Sequence, residues 1–303
     1  MGKKTAAFLK TQNRDFHNVI DSSLNLVDGG TVNASNGLAV KIAATTAKAS
    51  TTSLIGSQAA DPYTQGTTQL FPLGTELHYG DRTFRYAFMD GAVTAGKLVQ
   101  QAPHVAHHTN CTVINADAAT LGTVAYSHAI GSRAICIDTA GDTDLTLDQY
   151  AEGYLLVNDQ ESEGALLKIR THLAHNHGDD PSVVIETYDA LTTAVVKNSS
   201  QASLVLNPYK DVIVAPTAET GAIIGATVID MADDNYGWLV TSGPAALLVS
   251  EAVVVLGHRV VRSDADAGGV MAADSDPLLV PVGQVMAGGV VDTEYAMINL
   301  NIS

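Results

Sequence analysis

The chain's chemical potential is concentrated in its histidines, six of which form two clusters: His104, His107 and His108, and His172, His175 and His177. A transition-metal site needs two or three such imidazoles converging with a carboxylate. The best local set is His175 and His177 with Asp179 and Asp180. Asn176, Gly178 and Pro181 interleave them and predict a loop between two strands, where polar residues collect whatever the function. His104 to His108 follow Pro103 and read as a connecting loop. Neither cluster is assigned as a metal site.

Nucleophile chemistry has no sequence support. The chain has no Gly-x-Ser-x-Gly elbow and no His-Glu-x-x-His pair. Ser127 and His128 are adjacent, and on the strand expected there their side chains point to opposite faces, out of reach of a proton relay. Asp138, Asp142, Asp144 and Asp148 flank Gly141, but a calcium loop needs closer oxygen ligands and a closing bidentate Glu. These aspartates, and Asp264 and Asp266, read as solvated turn residues. The sequence leaves open a carboxylate pair for glycoside hydrolysis, although a single Trp argues poorly for a sugar cleft. Gly268-Gly269 and Gly288-Gly289 read as turns, with no phosphate-cradling pattern opening a helix. The expected catalytic, cofactor-binding and metal-ligating residues are therefore none, and no cofactor is expected.

The elements that would have to carry such residues are strands. Short runs rich in Val, Ile, Leu and aromatics are cut by Gly, Pro, Asp, Asn and Ser, the pattern of antiparallel strands joined by turns. Strands are expected at 83–89, 96–99, 112–114, 134–137, 153–157, 166–169, 183–188, 203–206, 236–240 and 257–261. Turns are expected at Gly80-Asp81, Asp90-Gly91-Ala92 and Ser242-Gly243-Pro244-Ala245. Leu147 to Ala151, with Asp144 as a cap, is the best short helix candidate. An aromatic strand, a Gly-containing turn and a Gly-basic-apolar strand occur twice, around Phe84 and around Trp238, which hints at two related β modules. Phe84, Tyr86, Tyr236 and Trp238 read as core residues.

The 303 residues are 46% apolar, enough for a real core, but aromatics are 5%, so Ala, Val, Leu and Ile must fill it. Charged residues are 16%, below the roughly 25% of ordinary domains. A neutral surface of small residues suits packing against other copies or another protein; a secreted or adhesive β protein would share it. The net charge is −16, yet residues 1–50 carry six basic groups against three acidic ones. The acidic remainder repels nucleic-acid phosphates. Cys111 and Cys136 read as buried thiols, with one disulfide left open. No apolar run approaches the roughly 20 residues of a membrane span, and the N-terminal apolar run is too short for a signal peptide. Synthesis and folding in the cytoplasm follow as the expectation.

Three regions are expected: an extended arm over 1–70, low in complexity beyond residue 20 and with one strand at Gly37–Ile42, a β-rich domain over 71–215, and a C-terminal β domain over 216–303. The fold class expected is mainly β, with antiparallel barrel-like or sandwich-like modules.

Four phrases then carry a resemblance. They are Tyr150-Ala151-Glu152-Gly153-Tyr154 with Leu155 to Asp159; Asn207-Pro208-Tyr209-Lys210-Asp211 with Val212 to Val214; Tyr236-Gly237-Trp238 through Gly243-Pro244-Ala245; and Pro281-Val282-Gly283-Gln284-Val285 with Asp292-Thr293-Glu294-Tyr295. Over about 70–303 the chain resembles structural proteins of tailed bacteriophages, in particular capsid decoration (cement) proteins. The resemblance implies a β-rich homotrimer on the outer capsid surface of the virion, partnered by the major capsid protein and stabilising joints between its subunits. From the missing motifs, the acidic charge and the missing apolar span, no enzyme, no nucleic-acid partner and no membrane partner are expected. Another virion component, a tail or fibre part or a host-surface binder, is the alternative.

Overall fold

The computed structural model describes residues 60–114, 128–139, 143–178, 182–250, 255–273, 279–288 and 292–302. Residues 1–59, including the strand expected at 37–42, lie outside them, as do Ser127, Gly141, Asp142, Asp179, Asp180, Pro181 and Gly289.

The expected β class holds. In chain order, β1 (Glu76–Tyr79), β2 (Arg82–Phe88) and β3 (Leu98–Gln100) are followed by β4 (Cys111–Val113), β5 (Ala134–Asp138), β6 (Tyr154–Asp159), β7 (Leu166–His172), β8 (Ser182–Thr187) and β9 (Gln201–Val205). Then come β10 (Ile213–Val214), β11 (Ile223–Thr227), β12 (Tyr236–Leu248), β13 (Arg259–Arg262), β14 (Val270–Ala272), β15 (Gly283–Gly288) and β16 (Tyr295–Asn301). Among the described residues helix is confined to one 3-10 turn, Ala106–His108.

Strands β4 to β9 close a six-stranded barrel in the order β4-β5-β8-β7-β6-β9. Residues two apart on a strand share a face, so each strand offers the interior an apolar pair: Cys111 and Val113, Ile135 and Ile137, Leu155 and Val157, Leu167 and Ile169, Val183 and Ile185, Ala202 and Leu204. Tyr150, Leu145, Leu191 and Val195, from the connections, join the same core. A closed barrel leaves no unpaired sheet edge.

The other strands form one ten-stranded sheet, ordered β10-β3-β11-β12-β16-β15-β13-β14, with β2 also on β12 and β1 on β2. β12 organises it. Tyr236–Ser242 pairs with β2, and Ser242–Leu248 pairs with β16. The turn expected at Ser242–Ala245 does not form, because the strand runs through it with a register shift between Val240 and Ser242. Gly243 takes φ +93°, and a Cβ there would lie 2.3 Å from the Asp81 carbonyl oxygen. The bulge is at Thr241, and Gly243 and Pro244 continue the strand in register with Leu300 and Asn299 of β16, so they mark no chain reversal. The β2 and β12 segments read as two related modules are partners in this one sheet. Tyr86 meets Trp238 at 5.0 Å between ring centroids, and Phe71 meets both at 5.3 Å. Phe84, Tyr86 and Trp238 are buried as expected, with Tyr236 packed at the margin of their cluster.

Two expected boundaries move. Ala60 and Phe71 belong to the sheet's core, and Gly66 exchanges backbone hydrogen bonds with Tyr236, so residues 60–70 are part of the body and not of an arm. The division at 215 does not coincide with a structural boundary either. β3 and β10, on opposite sides of the barrel in sequence, pair directly at Ile213–Gln100 and Val214–Val99. The barrel is an insertion into the sheet, leaving and returning through neighbouring strands.

Candidate functional site

The two histidine clusters contribute to one buried network at an end of the barrel. The segment Leu147–Ala151, expected as a short helix, is instead part of a run of turns with positive φ at Asp148 and Glu152. Leu145 bridges His175, and the Asp148 N–H donates to the His172 carbonyl. This brings Tyr150 over His108 and His172. His172 Nε2 accepts the Tyr150 N–H at 3.0 Å, and Nδ1 faces the Leu173 carbonyl at 2.9 Å, so the ring is the neutral tautomer protonated at Nδ1. The Tyr150 hydroxyl lies 2.5 Å from His108 Nδ1. Burial lowers the basicity of both imidazoles, and burial, followed by Cys111 and Asp211, pushes the Tyr150 phenol up. The phenol is therefore the donor.

Asp148 completes the network. Burial alone would raise its pKa, but the Thr171 hydroxyl at 2.6 Å and the His172 N–H at 3.1 Å outweigh burial and lower it. The Lys210 ammonium donates to the Asp148 carbonyl at 2.8 Å, and burial lowers its basicity. The next turn ties barrel to sheet. Glu152 accepts from Gln69 Nε2 at 2.7 Å and from the Leu73 N–H at 2.5 Å, and Asn207 Nδ2 donates to the Glu152 carbonyl at 2.9 Å. The cavity beside Tyr150 measures about 40 Å³. That is room for roughly one to three waters, not for a substrate. The arrangement is a clasp.

The other expected residues stay apart from it or serve locally. His104 and His107 are exposed. His175 Nε2 and His177 Nδ1 share the buried Thr139 hydroxyl at 3.2 and 3.1 Å, and among the described residues no His, Cys, Asp and Glu group has metal-binding geometry. Asp144 accepts the His177 N–H, Asp138 ends β5, and Asp266 accepts the Ser250 hydroxyl. His128 lies outside any strand, contrary to expectation, and its Nε2 accepts the Cys136 N–H. Cys111 and Cys136 are both buried and form no disulfide. Cys111 faces the barrel interior with Val113, whereas Cys136 lies between the inward Ile135 and Ile137 and faces the opposite side.

A second feature is a surface that composition alone only hinted at. On β16 the residues alternate, with Tyr295, Met297, Asn299 and Asn301 exposed and Ala296, Ile298 and Leu300 buried. The register sets Leu248 against Tyr295, Ala246 against Met297, Pro244 against Asn299 and Ser242 against Asn301. On the other side Gln284 meets Asn299, and Met286 stands on a bulge between Val285 and Ala287. None of these ten outward positions is charged, in a chain of net charge −16. Tyr295, Met286 and Met297 are 50%, 47% and 40% exposed. Hollows of about 500 and 570 Å³ adjoin the face, the first reaching Arg82 and Asp230 and the second Asp81 and Arg259. An uncharged centre with charged margins is the anatomy of a protein interface. No protein-family model, no curated protein and no solved structure matches the chain.

Proposed function

We propose that the chain is a structural virion protein, a capsid decoration (cement) protein that binds the outer surface of the capsid and stabilises joints between major capsid subunits. The observation that carries this reading is the uncharged outward face of β12, β16 and β15. A solvated face of an acidic protein has no need of Met286, Tyr295 and Met297 side by side, whereas a face that packs on protein does. The phrases resembling decoration proteins include β12 and the two segments that contain Gln284 and Tyr295. Decoration of a lattice favours a symmetric oligomer, and a homotrimer is the form the reading carries. The buried histidine clasp fits a protein whose task is to hold shape, since Tyr150 joins His108 to His172 and Asp148 anchors β7 through Thr171 and His172.

The test is cosedimentation with shells assembled from the major capsid protein of the same virus. The wild type, the double variant Tyr295→Asp with Met297→Asp, and a chain lacking residues 1–59 are compared, the last cut ahead of Ala60 because Ala60 and Phe71 are core residues. Stoichiometric binding by the wild type and loss by the double variant support the reading. If the wild type stays in the supernatant, decoration fails and a tail or host-binding part becomes the leading account. Retention of the double variant with the shells removes the sheet face from the reading.

A further inference from the structure

A third cleft, which shares Asn301 with the margin of the face above, contains a buried and poorly compensated charge. It measures about 350 Å³ and lies between the Glu219–Ile223 segment, Leu279–Val282, Arg262 of β13 and the end of β16. That volume is at the small end of ligand pockets. Its apolar lining is aliphatic: Ile223, Leu279, Val280, Pro281, Val282 and Ile302. Val280 is 78% exposed at its mouth.

Arg262 also lines it, although the residue is 8% exposed. One guanidinium nitrogen, Nη1, donates to the Pro216 carbonyl at 2.7 Å. Nε is buried with no hydrogen-bond partner. The Glu219 carboxylate is 3.8 Å away, too long for a hydrogen bond, and its side chain is 64% exposed. A buried cation held by one carbonyl and a distant, solvated carboxylate is under-compensated, because charge taken out of water needs close partners. The Glu219–Ile223 segment is held in place: Gln100 Nε2 donates to the Thr220 hydroxyl at 2.7 Å, and the Gln101 N–H donates to the Ala222 carbonyl at 3.0 Å.

We infer that this cleft binds a small amphiphilic carboxylate of the medium-chain fatty acid class. The head group takes the place of Glu219 beside the Arg262 guanidinium, and the acyl tail lies against Ile223, Val280, Val282 and Ile302. Charge complementarity selects the head, since Arg262 is the cation of the lining and its present counter-charge is loose. The aliphatic walls select a tail over a peptide, whose amides would lose water without matched partners there.

The test is titration of the full chain with octanoate, followed by calorimetry and by chemical-shift changes of the Val280 and Ile302 methyls. Octanoate is expected to bind, and octanol and octylamine to bind at least about tenfold more weakly, the scale of one lost charged hydrogen bond. Arg262→Met should abolish the difference between octanoate and octanol. Val280→Asp, at an exposed position that leaves folding intact, should repel the carboxylate, and Glu219→Gln should tighten binding. Equal binding of octanoate and octanol overturns the inference, as does tighter binding of a free hydrophobic tripeptide, or no methyl shift at all.

Discussion

The backbone N–H of Tyr150 donates to Nε2 of His172 at 3.0 Å, so a turn residue and the last residue of β7 fix each other's orientation. The same Tyr150 reaches His108 through its hydroxyl at 2.5 Å. Three distant parts of the chain are thereby closed over one end of the barrel. Tyr150→Phe keeps the ring and removes the hydroxyl, leaving His108 Nδ1 buried without its donor. The expected cost is about 1–3 kcal/mol, the scale of an unsatisfied buried polar group. Chemical denaturation measures it, and hydrogen exchange should locate the loss in the barrel strands. A variant as stable as wild type would remove the hydroxyl from the clasp.

The buried histidines make stability depend on pH, and the sign follows from linkage. Burial lowers the pKa of His108, His128 and His172 below the unfolded value of about 6.5. Between that value and their folded values the unfolded chain binds more protons, so stability falls as pH falls through this window. Protonation also turns Nε2 of His172 and of His128 from acceptors into donors facing the Tyr150 and Cys136 N–H groups. Asp148, lowered in the fold, loses its contribution at more acid pH. Asp211, raised chiefly by burial and partly offset by Lys210, acts in the opposite sense, favouring the fold as pH falls. Melting temperatures are therefore expected to drop from pH 8 to pH 5, and to drop less in His172→Gln, whose amide oxygen can accept without titrating. An unchanged slope in that variant would assign the effect to other groups.

Gly243, within β12, and Gly257, beyond it, supply a contrast between two glycines. Gly243 and Gly257 both have positive φ, at +93° and +81°. A Cβ on Gly243 meets the Asp81 carbonyl oxygen and the Arg82 Cα, whereas one on Gly257 meets nothing within 4 Å. Gly257→Ala should cost about 1–2 kcal/mol from conformation alone. Gly243→Ala should cost more, about 3 kcal/mol or above, because β12 must also move away from the β1–β2 turn. Urea melts of the two variants compare them directly, and equal costs would mean that β12 yields freely at Gly243.

Much of the strand inventory is legible in the sequence because alternation is local. The run Tyr295-Ala-Met-Ile-Asn-Leu-Asn301 spells out its own exposed and buried faces. What is not legible depends on partners far apart in the chain. Barrel closure rests on Cys111 pairing with Ala202, and the insertion rests on β3 pairing with β10. The Ser242–Ala245 segment carries turn residues, yet β2 and β16 hold it extended, so tertiary pairing overrides local preference. The histidines were visible as clusters, but Tyr150, which joins them, carries no local mark. The uncharged face also had a readable signal in the outward residues of β16, and register with β12 and β15 was needed to extend it into a surface.

The two cysteines give the sharpest test of which way the barrel strands face. Paired β4 and β5 set Val113 against Ile137, both inward, which places Cys111 inside the barrel and Cys136 on its outer side. Both are fully buried. A disulfide would need its two Cβ atoms to converge across a layer they leave on opposite sides. Native protein treated with a thiol-specific aromatic disulfide reagent should therefore react slowly at both sites, and both should react at once in denaturant. Under a mild oxidant the intact mass should not fall by the two hydrogens of a disulfide. Such a loss in folded protein would show that β5 is turned about its axis relative to β4, and the inward assignment of Ile135 and Ile137 would fall with it.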